Sequence, residues 1–167
     1  DGVAMPGAAS WPYAVDAALT RQLRASGGHI QLNALFTPVD TELLKPENAP
    51  LVDYYVNFLA GERAMIPQGN VHFVPTHLSQ NGAWICARRP RVTVITCAPP
   101  DENGFMNRSI SASHLDRAVL EQSELLIVEV NPRLPRLASE GECNPLVPVS
   151  AAGAIVERAR LLAENPA

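Results

Sequence analysis

The chain has 167 residues, 47% of them hydrophobic and 18% charged, with a formal net charge of −4 at pH 7. That length fills one core without room for two full domains, and the composition excludes a disordered chain. The acidic balance excludes a general nucleic-acid binder, which needs a basic face against phosphates, and no apolar run approaches the roughly 18 residues of a membrane span.

In chain order, residues 3–5 make a short apolar strand. Pro6, Gly7, Ala8, Ala9 and Ser10 then turn into a helix with Pro12 in its first turn, where the missing N–H is not needed. Val15, Ala18, Leu19 and Leu23 form the helix's buried stripe, and Gly27 and Gly28 end it. Residues 29–36 alternate apolar and polar side chains, as a half-covered strand does. The prolines of 37–50 predict a surface loop with a helical turn around 42–45. A strand over 52–59, a helical turn over 62–66 and a strand over 71–74 follow. Thr76 is placed to cap a helix that runs through Trp84 and Ile85 to Arg88 and Arg89.

Residues 92–97 and 125–130 are the strongest strand signals, short β-branched and apolar runs suited to burial on both faces. Between them, Ser113 and Asp116 have capping-box spacing ahead of Leu115, Ala118 and Val119, which predicts a helix and so a βαβ crossover. Residues 137–148 read as a loop, and Ser150 is expected to cap a last helix carrying Ile155, Val156, Arg158, Leu161 and Leu162. Strands and helices alternate, so the expected fold is α/β: a mainly parallel sheet with helices on both faces.

Ligands of such sheets bind beyond the carboxyl ends of the strands. The loops there are 7–11, 76–79, 98–105 and 131–136. In the third, Pro99 and Pro100 fix φ, while Asn103 and Gly104 accept positive φ, so the loop can place a backbone group accurately. The small-residue turn at Gly7 and Ala8 either admits an anion to the following helix N-terminus or is a close packing corner. Cys97 and His77 each stand at the end of a strand and form a weak candidate hydrolase pair, although a buried thiol is the simpler state. Cys86, Cys97 and Cys143 are odd in number and lack CxxC spacing, so neither a disulfide framework nor a metal site is expected. A reducing cytoplasm is the expected setting.

Four pieces occur in a telling order: Gly7-Ala8-Ala9 with Pro12; Val74-Pro75 with Leu78-Ser79; Pro99-Pro100-Asp101 with Gly104-Phe105; and Glu129-Val130-Asn131-Pro132 with Pro135-Arg136. Together they resemble the N-terminal domain of the acetyl-CoA hydrolase/transferase family, which includes 4-hydroxybutyrate CoA-transferases. The resemblance implies one domain of a two-domain protein, residues 1–157, with 158–167 opening an interdomain linker and the catalytic C-terminal domain absent. It implies part of a CoA-transferase or acyl-CoA hydrolase that moves CoA between an acyl-CoA and a small carboxylate, with the CoA thioester as substrate and no resident cofactor. A homo-oligomer in the cytoplasm is the accompanying expectation.

In the family's mechanism a glutamate attacks the thioester and forms an acyl-glutamyl anhydride, then an enzyme-CoA thioester. That glutamate belongs to the second domain, so no catalytic residue is carried over to this chain. Gly7, Ala8, His77, Ser79, Pro100, Asp101, Gly104 and Asn131 are the candidates for the substrate pocket or domain interface. The sequence departs from the pattern at Pro6-Gly7-Ala8, where a glycine run is common, at Asn103 for a frequent His, and at Gln80 for a frequent Glu. A non-catalytic binding or assembly module of the same fold is the alternative.

Overall fold

Short β-branched runs separated by helices pair as parallel strands, because each connection must cross the sheet before the next strand begins. The structure, a computed structural model, describes residues 2–7, 10–37, 41–113, 115–138 and 144–159. Its strands are β1 (Gly2–Ala4), β2 (Ile30–Ala34), β3 (Val52–Val56), β4 (Val71–Phe73), β5 (Val92–Cys97), β6 (Phe105–Asn107), β7 (Leu125–Val130), β8 (Leu146–Pro148) and β9 (Ala154–Glu157). Seven of them form one sheet in the order β4-β3-β2-β1-β5-β7-β9, every pair parallel. β6 and β8 form a separate antiparallel pair.

The helices are α1 (Tyr13–Ser26), α2 (Asn81–Arg88) and α3 (Arg117–Gln122). Val15 and Leu23 of α1 pack with Val3, Leu32, Tyr54 and Val94 on one face. Ile85 of α2 and Val119 of α3 pack with Ala4, Ile95, Leu126 and Val128 on the other. Helices therefore cover both faces, as the alternation predicts. Gly27 ends α1 in the left-handed region at φ 65°, a conformation that favours glycine.

Each face also has a half without a helix among the described residues, and the two halves differ in chemistry. On the α2 side, β2–β4 present Gln31, Asn33, Asp53, Tyr55 and His72; Tyr55 stacks on His72 at 4.6 Å, with the Arg88 guanidinium 3.7 Å from its ring centroid. On the α1 side, Val92, Leu125, Ile127, Ala154 and Val156 form the floor of an apolar groove of about 580 Å³ that α1 walls through Ala14, Ala18 and Gln22.

Several local expectations are corrected. Residues 154–157 are a strand, because Ile155 and Val156 pair beside β7, and the ladder continues through Arg158 N–H to the Val130 carbonyl. Thr76 caps no helix: its hydroxyl accepts from Asn57 Nδ2, and a 3-10 turn at Leu78–Gln80 precedes α2. Asp116 is itself the N-cap of α3, so Leu115 lies ahead of the helix, and no side-chain bond closes the cap. The Ser113 side chain, Ala8, Cys143 and residues 160–167 lie outside the described residues.

Gly82 sets the approach of α2 to α3. A Cβ there would lie 1.7 Å from Asp116 Oδ2 and 2.9 Å from Asp116 Cβ, too close for a rotation of the carboxylate alone to clear. Gly82→Ala sets an overpacking cost of about 1–3 kcal/mol against a helix-propensity gain of about 1 kcal/mol. Net destabilisation is the expected outcome in urea denaturation; an unchanged or higher midpoint would mean that the two helices separate freely.

Candidate functional site

The chain runs outward from β1 to β4, then returns through α2 to place β5 on the other side of β1. The switch point of this open sheet is therefore the β1–β5 crevice, where ligands of such folds ordinarily sit. Its walls are the loops after β1, β5 and β7. Thr96 Oγ1 donates to the Ser10 carbonyl at 2.6 Å, and Asn131 N–H donates to the Cys97 carbonyl at 2.8 Å, so the three loops are joined at their roots.

The anion position at the start of α1 is already filled from within. Glu129, on β7 and 3% exposed, accepts the N–H groups of Ala14 at 2.8 Å and Val15 at 3.1 Å through one carboxylate oxygen. These are first-turn donors that a phosphate would otherwise take. Gly7 is a packing corner: an added Cβ would lie 2.6 Å from the Phe36 carbonyl oxygen. Asp16, one turn further on, accepts from the Glu42 and Leu43 N–H groups. Burial pushes the Glu129 and Asp16 carboxyls up, against the lowering effect of those backbone donors.

Asp101 and Arg136 organise the outer rim. Asp101 Oδ1 accepts from the N–H groups of Asn103 at 3.0 Å and Phe105 at 2.9 Å, and its Oδ2 accepts from Arg136 Nη2 at 2.9 Å. Arg136 also donates to the Pro99 and Phe105 carbonyls at 2.6 and 3.2 Å. Gly104 takes φ 78° at the tip, and Pro100 is exposed beside it. Asn131 is buried, and its Oδ1 accepts from Arg133 N–H. Asp101, Gly104 and Asn131 thus belong to one joined wall. His77 and Ser79 are exposed, on the segment that Asn57 ties to the end of β3 through Val74 and Thr76.

On the β2–β3 side, Glu62 is fully buried and gathers Thr37 N–H and Oγ1, Tyr54 OH and Ala60 N–H. Burial, followed by the Glu62 charge, pushes the Tyr54 phenol well above its usual range. Cys97 is buried, and desolvation pushes its thiol up to about 12, which removes it as a thiolate nucleophile. Among the described residues, no group of three or more His, Cys, Asp or Glu side chains could hold a metal ion, and no helix is long and apolar enough to cross a membrane.

An open, doubly wound α/β domain with a stapled loop wall at its switch point is the class that this geometry defines. The acetyl-CoA hydrolase/transferase N-terminal domain family matches residues 1–161, and the chain belongs to that family. A butyryl-CoA:acetate CoA-transferase of Anaerostipes caccae is 37% identical over 108 residues, 64% of this chain and 22% of its own length. RipA of Yersinia pestis superposes with a TM-score of 0.84 at 25% identity, over 100% of this chain and 40% of RipA. A 4-hydroxybutyrate CoA-transferase of Porphyromonas gingivalis shares the fold, with a TM-score of 0.64 at 20% identity over 98% of this chain and 36% of its own. The chain therefore spans only a minor part of each of these proteins.

Because Glu129 has its pKa raised in the folded chain, its contribution to stability is complete below the unfolded value and is lost as pH rises through the folded one. Glu129→Gln keeps an oxygen for both N–H groups and removes the charge. Denaturant melts are expected to show the variant at least as stable as wild type at pH 7, with the difference vanishing below about pH 4. A variant weaker at pH 7 and equal at low pH would mean that the charge stabilises α1 more than its burial costs.

Proposed function

We propose that this domain is the N-terminal part of an enzyme that moves coenzyme A between an acyl-CoA and a small carboxylate, with the reactive glutamate in a second, C-terminal domain. The family match over residues 1–161 is the observation that carries the reading. The CoA-transferase relative, whose name couples butyryl-CoA to acetate, supports short acyl chains as the substrate class. The boundary at Glu157, a linker from 158, a cytoplasmic location and a homo-oligomer belong to the same reading.

The site chemistry agrees with a supporting role. The carboxylates of Asp101, Glu129, Asp16 and Glu62 are all engaged by backbone or side-chain donors. A nucleophile needs a lone pair free to attack, and these oxygens are committed to holding loops and a helix. On this reading the domain supplies one wall for the acyl group or the carboxylate acceptor, formed by the loops that carry Asp101, Gly104 and Asn131.

The chain alone is expected to transfer no CoA from butyryl- or acetyl-CoA to acetate, whereas the chain joined to the C-terminal half of its own polypeptide is expected to do so. Thioester exchange followed by chromatography measures both. Turnover by the chain alone would overturn the proposal, and inactivity of the joined protein would favour a non-catalytic module.

A further inference from the structure

We infer that Arg136 is a positioning residue that clamps the loop between β5 and β6 against the exit of β7, making the two segments one wall of the acyl-CoA site. What the wall faces rests on the functional reading above; the clamp rests on geometry alone. The guanidinium reaches three acceptors in that loop: the Pro99 carbonyl before Asp101, the Asp101 carboxylate, and the Phe105 carbonyl after it. Asp101 passes the restraint inward, because its other oxygen holds the Asn103 and Phe105 N–H groups. The loop also closes on itself through Gly104 N–H to the Asp101 carbonyl and Asp101 N–H to the Phe105 carbonyl.

A second staple lies one residue further on. Asn107, 1% exposed, accepts from Leu137 N–H and donates to the Leu137 carbonyl. The β7 exit is thus fixed to the β5 loop at Arg136 and to β6 at Leu137. Between the staples, the Phe105 and Leu137 side chains remain 37% and 42% exposed, leaving apolar surface for a ligand or the second domain. The Arg136 and Asp101 side chains are 38% and 31% exposed, so their pairing contributes little to global stability. Its effect is on where the loop stands. Lysine would not substitute, because a single ammonium cannot present a planar fork to acceptors on both sides of the loop.

The test uses Arg136→Gln, Arg136→Lys and Asp101→Asn, each in this chain and in the chain joined to its C-terminal half. Hydrogen exchange in this chain is expected to be faster at the Asn103 and Phe105 amides in all three variants, with the β5 and β7 ladders unchanged. In the joined protein, KM for acyl-CoA or acetate is expected to rise about tenfold or more for both Arg136 variants while kcat falls less, since misplacement of about 1 Å is enough for such losses. Unchanged exchange at Asn103 and Phe105 would overturn the clamp. Faster exchange with unchanged KM and kcat, or a loss of folded protein with KM intact, would overturn the role in the site. If the wild-type joined protein moved no CoA, the functional reading would fall, and exchange alone would decide the clamp.

Discussion

The contact between the Glu129 carboxylate and the start of α1 holds the domain's architecture together. An acid inside a strand as apolar as β7 is costly unless donors surround it, and the first turn of a helix is a cluster of N–H groups without intrahelical partners. Each solves the other's problem. The bond spans 114 residues of sequence and ties the second strand to the right of the β1–β5 crevice to the first helix. It also fills from within the position where doubly wound sheets commonly hold phosphate. The Ala14 and Val15 N–H groups are therefore not open to an outside anion.

The loops above the crevice follow the same logic at lower burial. Asp101 with Arg136, Asn107 with Leu137, and Glu62 with Thr37 and Tyr54 each use a charged or amide side chain to satisfy backbone or hydroxyl groups from other segments. Irregular backbone near a sheet edge needs such partners, since it has no ladder of its own. The result is a rim of built geometry whose buried acids are already occupied. A rim of this kind suits holding and alignment better than bond making, because its acid oxygens already accept from protein donors.

Much of the frame could be read from the amino acids. The strands β5 and β7 have the bounds that their β-branched and apolar runs suggest, because the few polar residues within them, Thr93, Thr96 and Glu129, are themselves buried. Gly27 marked the end of α1 equally well, and Val15 and Leu23 its buried face, whereas Ala18 of the expected stripe is exposed and Pro12 is the N-cap. Strand β9 was not legible: a four-residue run with Ile155 and Val156 fits a helix face as readily as a strand, and the deciding fact is the free edge of β7 beside it. The antiparallel pair β6 and β8 was hidden for a similar reason, each strand being three residues set among turns. Of the site, the loops were visible and their joints were not. Glu129 entered only as part of the Glu129-Val130-Asn131-Pro132 piece, and nothing in the sequence named its partners across 114 residues. Arg136 was a motif letter until its three acceptors were seen.

The central strand, β1, precedes the sheet's other described strands along this sequence. β1 has three residues and meets β5 through only two register pairs, Val3 with Val92 and Ala4 with Thr93. Everything on one side of that seam, through β4, precedes everything on the other in the order of synthesis. The seam joins two half-sheets across a separation of roughly ninety residues, from Val3 to Val92, and such non-local pairing slows folding. The bond from Glu129 to α1 and the bond from Thr96 to Ser10 cross the same seam. Both bonds need the two half-sheets in register, so the joints between the loops above the seam depend on that pairing.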